Sequence, residues 1–233
     1  MEELREACRL NNEGVHFHLK GDYQNSMTAF QTALGQMKLA AFESDKISRE
    51  PVGTRAAVEQ EFDICNIVQP PHAACSHSLL SGQCDSGFVY SLPFLLHAGS
   101  ADSLDDVRVS LYSATLLFNL AMCFHRDGLQ GRGKMLQRAS NLYQMSLQLL
   151  EEPLREAPSA SSVIATLLLN NKANCHFDLC EYDQSRHFSR HLSQMIEYAR
   201  LQIEVELSPK VIEALYLTSS IMVDQVPTAA QAA

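Results

Sequence analysis

The chain has 233 residues, 46% of them hydrophobic, enough to bury a core in one large domain or two small ones without disulfide or metal staples. Eighteen basic against 27 acidic side chains leave a formal net charge of −9, which repels a phosphate backbone and argues against nucleic acid as partner. Seven cysteines fall without a compact, even framework, so free thiols in a reducing compartment, cytoplasm or nucleus, are expected.

The chain opens on Met1-Glu2-Glu3-Leu4-Arg5-Glu6, acidic and polar, without the basic start and apolar run of a secretory leader. Residues 4–38 read as a pair of helices. Gly14 is the small residue that lets two helix backbones approach, Phe17 fills the adjoining space, and Gly21 permits the left-handed backbone of the turn. Tyr23 starts the second helix, with Ser26 as its small contact residue and Phe30 four positions on along the same face.

Residues 39–102 read as an insertion. Phe62, Ile64 and Val68 share one parity, and Phe88, Tyr90, Leu92, Phe94 and Leu96 alternate with Val89, Ser91, Pro93 and Leu95, which predicts a small β-hairpin packed on the helices with Pro93 at an edge. Residues 69–87 between the strands read as a loop. Cys65, His72, Cys75, His77 and Cys84 are suitable zinc ligands by chemistry, but their spacing matches no compact knuckle, so ordinary loop thiols and histidines are expected.

Ser103-Leu104-Asp105-Asp106 has the spacing of a capping box and predicts a helix from near Leu104. A second unit, residues 104–150, then carries Ala121 as its small residue, Phe124 as its larger one, Gly128 at the turn, and Ala139 and Tyr143 on the second helix. The most apolar stretches, residues 114–124 and 163–169, fall short of the roughly 20 residues a bilayer-spanning helix needs, so no membrane association is expected. Glu151-Glu152-Pro153 ends this unit and residues 157–161 read as a linker.

A third unit, residues 162–205, repeats the order with Ala173, His176, Tyr182 and Ser185, and with Cys180 in place of the turn glycine. Ser208-Pro209 supplies an N-cap and a proline at the first helical position, opening a capping helix over residues 209–223; residues 227–233 read as a frayed tail. Cys175, His176, Cys180, His187 and His191 form a second soft-ligand group, but burial of His176 and an outward-facing His187 and His191 would keep them apart. No metal and no cofactor is expected.

Leu10-Asn11-Asn12-Glu13-Gly14 recurs as Leu169-Asn170-Asn171-Lys172-Ala173, and Phe17, Gly21, Tyr23 and Ser26 recur as His176, Cys180, Tyr182 and Ser185, all at the offset of 159 residues that separates Leu10 from Leu169. This order of small and aromatic positions resembles the tetratricopeptide repeat family. The resemblance implies an all-α fold of antiparallel helix pairs forming a short α-solenoid, here with the inserted β-hairpin and the C-terminal capping helix. It also implies a non-catalytic protein-interaction module or adaptor that takes a peptide or helix in a groove lined by the first helices. The residues so implicated are Asn11, Val15 and His18 in the first unit, Phe118, Met122 and Arg126 in the second, and Asn170 in the third.

Some members of that family hold a terminal carboxylate with basic groove residues. Asn119 matches one position of that clamp, whereas Asn11, Leu167 and Asn171 stand where cations would be needed, so this ligand mode is not expected. Asn12, Asn119 and Asn171 occupy one repeated position, for which a hydrogen bond to neighbouring helix backbone is the expectation. Gly131-Arg132-Gly133-Lys134 lacks the spacing of a phosphate-binding loop, and no catalytic motif is present. The alternatives to an adaptor are a metal-binding or thiol-based sensor, or a permanent subunit of an assembly.

Overall fold

Helix α1 (Glu2–Leu19) stops at Gly21, whose φ of +80° lets the Gly21 N–H reach the His18 carbonyl at 3.0 Å and the Asp22 N–H reach that of Phe17 at 2.9 Å. This left-handed closure satisfies carbonyls that the helix end would otherwise leave open. Asp22 then caps α2 (Tyr23–Ser48), its carboxylate accepting from the Asn25 N–H at 3.3 Å and from Asn25 Nδ2 at 2.7 Å. The same closure ends α6 (Pro158–Asp178), where Cys180 adopts φ 60° and Glu181 and Cys180 donate to His176 and Phe177.

The structure is a computed structural model and describes residues 2–48, 67–68, 89–98, 106–156, 158–202 and 209–224. After α2 come the two-residue strands β1 (Ile67–Val68) and β2 (Leu95–Leu96). The helices α3 (Asp106–Leu129), α4 (Gly133–Leu149), α5 (Pro153–Glu156), α6, α7 (Tyr182–Gln202) and α8 (Pro209–Asp224) follow. The chain is predominantly α-helical. Helices α1 and α2, α3 and α4, and α6 and α7 pack as pairs; α2 rests on α3, α4 on α6, and α8 on α7 and α6.

One apolar core runs through these contacts, from Val15 and Phe30 through Leu111, Phe118, Phe124 and Tyr143 to Leu168, Leu192 and Leu215. Close backbone approach explains two small residues. A Cβ on Gly14 would lie 2.6 Å from the Phe30 ring, and one on Gly128 would lie 2.8 Å from the Leu136 backbone nitrogen.

Several expectations need correction. Gly128 sits inside α3, and the left-handed residue of that turn is Gly131 at φ +90°, because the turn is lengthened beyond the helix. Helix α2 continues past Lys38 to Ser48. Residues 158–161 belong to α6 instead of a linker, with Pro158 at the first helical position, where its missing N–H costs nothing. Helix α3 begins at Asp106, and residues 99–105 lie outside the described residues.

The apolar run of α3 is longer than the sequence reading allowed: its 24 residues are long and apolar enough to cross a bilayer, but 78% of its most apolar stretch is buried between neighbouring helices. Helix α3 is therefore a core helix in this structure.

The insertion departs most from expectation. Among the described residues β1 and β2 pair antiparallel, with Ile67 opposite Leu96 and Val68 opposite Leu95. Phe62, Ile64 and Phe88 lie outside the described residues. Residues 89–98 run extended with Tyr90 and Leu96 at 0% exposure and Phe94 at 3%. Besides the pairing with β1, their main chain bonds to side-chain amides of the helices.

An asparagine-lined groove as candidate functional site

Asn12, Asn119 and Asn171 come from α1, α3 and α6, and each closes the same two-point contact. Asn119 Oδ1 accepts the Phe94 N–H at 2.9 Å while its Nδ2 donates to the Phe94 carbonyl at 2.8 Å. Asn171 does the same to Tyr90, at 2.9 and 2.8 Å, and Asn12 to Leu96, at 2.8 Å in both directions. A carboxamide carries one acceptor and one donor side by side, matching the N–H and C=O of a single extended residue.

Neighbouring amides orient these clamps. Asn11 Nδ2 donates to Asn12 Oδ1 at 3.1 Å, and Asn170 Nδ2 donates to Asn171 Oδ1 at 3.0 Å, the same relation repeated in the first and third units. Asn11 also donates to the Phe94 carbonyl at 2.9 Å and accepts from Asn119 Nδ2 at 2.8 Å, joining first and second units into one network. Asn171 Nδ2 reaches the Tyr143 hydroxyl at 3.3 Å, which in turn meets His125 Nδ1 at 3.3 Å. All of these asparagines are fully buried except Asn12, which is half-buried.

The side chains of the bound segment fill apolar hollows between the helices. The Phe94 ring centroid lies 5.6 Å from that of Phe118 and 6.1 Å from that of Tyr90, and Tyr90 lies 6.2 Å from Phe118. Leu96 joins Leu4, Ala7, Met37, Tyr112 and Leu116, and the Tyr112 hydroxyl donates to the His97 carbonyl at 2.7 Å. Burying each of these side chains contributes about 2 kcal/mol, and each amide bond a net of about 1 kcal/mol. The amides set register and the aromatic rings supply much of the hold.

The groove residues implied by the resemblance now have places. Asn11, Phe118 and Asn119 touch the segment, while Val15 and Met122 belong to the core cluster that includes Tyr90 and Phe94. His18 is buried and bonds to the Ser91 main chain; burial, then the nearby Arg126 charge, pushes its imidazole down to about 4. Arg126 stays exposed with its guanidinium 4.0 Å above the Tyr23 ring, and Asn170 donates to Asn171 Oδ1. Most of these positions are thus covered by the chain itself instead of facing solvent.

Asn12 and Asn171 are the residues that sequence reasoning set aside. Their amides leave their own helices and hold a segment 84 and 81 positions away. The expected bond to neighbouring helix backbone is replaced by bonds to the main chain of residues 89–98, and the signal in the sequence was their recurrence with Asn119 at one position.

Elsewhere, Glu181 Oε2 lies 2.6 Å from His176 Nδ1, and His176 Nε2 lies 3.2 Å from Ser140 Oγ. Because a carboxylate only accepts, Nδ1 carries the proton and Nε2 accepts from Ser140. Burial lowers the His176 pKa against the opposing pull of Glu181, which favours the neutral ring. Ser140 is 1% exposed and its Oγ also faces Lys172 Nζ at 3.4 Å. The arrangement ties α4 to α6.

Among the described residues, no group of three or more His, Cys, Asp or Glu side chains is placed to hold a metal ion. Cys175 is fully buried, Cys180 is exposed, and His187 and His191 face each other on the surface of α7, their rings 4.3 Å apart. Cys65, His72, Cys75, His77 and Cys84 lie outside the described residues. A cavity of about 760 Å³ between α4, α6 and α7 is lined by Leu147, Leu169, His187, Phe188, His191 and Tyr198.

No family model, no curated protein and no solved structure matches this chain.

Proposed function

We propose that this protein is a non-catalytic interaction module of tetratricopeptide-like construction whose groove, lined by α1, α3 and α6, binds an extended polypeptide. The observation that carries this reading is the set of paired amide bonds from Asn12, Asn119 and Asn171 to both main-chain groups of Leu96, Phe94 and Tyr90. Contacts of this kind recognise the backbone of an extended strand, and alternate side chains then set specificity. The repeat supplies identical amides along the groove, as a receptor for a regular extended chain requires.

A peptide-display selection against the full chain tests the proposal. Enriched peptides should lose binding when Asn12 or Asn171 is changed to leucine. Selected peptides that bind those variants as tightly as the wild type would sink this groove as the site.

A further inference from the structure

Resting on the peptide-groove reading, we infer that residues 89–98 are a built-in competitor. They occupy the groove in cis and are displaced by a segment of another protein that carries an aromatic residue, a second aromatic four positions later, and leucine two beyond that, with no charge between them.

The specification comes from the bound segment. Its anchors are Tyr90, Phe94 and Leu96, each buried and each held by one amide pair. These residues must keep their N–H groups, so proline is excluded at all three positions. Pro93 is buried next to Phe94, at a position to which none of the three amides bonds. The intervening residues, Ser91, Leu92, Pro93 and Leu95, are uncharged, and the clamp side chains are neutral amides. A charged residue facing Phe118 would lose hydration without gaining a partner.

Displacement is favoured by how the segment is held. Among the described residues its strand pairing covers two residues, and its other main-chain anchors are side-chain amides that any extended, non-proline residue satisfies equally well. Along the chain, residues 49–88 separate it from α2 and residues 99–105 separate it from α3. A segment tethered in this way competes at an effective concentration on the order of millimolar. An incoming partner therefore shows its full affinity only when the cis segment is disabled.

The test uses a fluorescently labelled synthetic peptide of residues 87–99 as the trans probe, measured by anisotropy against the full-length protein. Phe94→Asp disables the cis segment and leaves the groove residues intact. It should tighten probe binding at least tenfold over wild type, and Asn119→Leu added to it should abolish the gain. Equal binding by wild type and Phe94→Asp overturns the competitor and leaves the groove reading standing. Failure of a folded Phe94→Asp protein to bind the probe overturns the groove reading itself.

Should Phe94→Asp not fold, hydrogen exchange on the wild type decides. Exchange of the Tyr90, Phe94 and Leu96 amides by a local opening, faster than the α3 core, supports displacement; exchange only with global unfolding overturns it. A wild-type dimer in sedimentation that Phe94→Asp abolishes would overturn the foreign partner in favour of a second copy of this chain.

Discussion

Asn119 grips Phe94 from both directions, its Oδ1 2.9 Å from the Phe94 nitrogen and its Nδ2 2.8 Å from the Phe94 oxygen, across 25 positions of sequence. Both residues are buried, so the Phe94 N–H is left without a partner when the Asn119 amide is removed, while the Phe94 carbonyl keeps Asn11 Nδ2.

Asn119→Ala should therefore destabilise the fold by about 2 kcal/mol or more, since the Phe94 N–H and Asn11 Oδ1 lose their partners at about 1 kcal/mol or more each, while the Phe94 carbonyl keeps Asn11 Nδ2. Asn12→Ala should cost about 1 kcal/mol, because Asn12 is half-buried and water can reach its place. Urea unfolding with an unchanged slope measures both. Equal costs at the two positions would contradict the burial difference.

Cys180 takes φ 60° at the end of α6, where a side chain costs about 1–2 kcal/mol, and its thiol is exposed. Cys180→Gly should stabilise the protein by about 0.5 kcal/mol once the greater freedom of glycine in the unfolded chain is subtracted. Gly21→Ala, at φ +80°, should destabilise by about 1 kcal/mol. Thermal melts of the two variants should move in opposite directions.

His18 is held neutral, its pKa lowered from 6.5 to about 4 by burial and then by the Arg126 charge. The unfolded chain therefore binds more protons than the folded one between these values, and stability falls as pH drops through that window. The loss should begin near pH 6.5 and be complete below about 4, totalling up to about 3 kcal/mol. Burial lowers the His176 pKa too, which adds in the same direction. Urea midpoints at pH 7 and pH 5 should differ, and His18→Gln should flatten the difference; an unchanged slope would remove His18 as its source.

Cys8, Cys123 and Cys175 are buried, and desolvation raises their thiols, to about 12 for Cys8 and about 11 for Cys123. Among the four cysteines in the described residues, Cys180 alone is exposed. A brief treatment with iodoacetamide under native conditions should alkylate Cys180 and spare the other three, as read by peptide mass spectrometry. Modification of Cys123 in the folded protein would show that the core beneath residues 89–98 opens readily.

Part of this was legible in the amino-acid order. The spacing of small and large residues at one turn of helix pointed to helices, because the period of a helix is local, and Gly14 against Phe30 needs only neighbouring elements. Turn lengths were less legible: Gly128 was read as the left-handed residue, yet the lengthened turn moves that role to Gly131. The alternating run through Phe94 was recognised as extended, but alternation reports which side chains share a face and not what lies against them.

By itself the sequence determined the predominantly helical character and the recurrence of an asparagine at one repeat position. Only the tertiary structure decided where those amides point. Asn12 and Leu96 lie 84 positions apart, and Asn171 and Tyr90 lie 81 apart, so no local pattern links them. A carboxamide bonds whichever donor and acceptor the packing brings within 3 Å, and here the packing of α1, α3 and α6 brings it the main chain of residues 89–98.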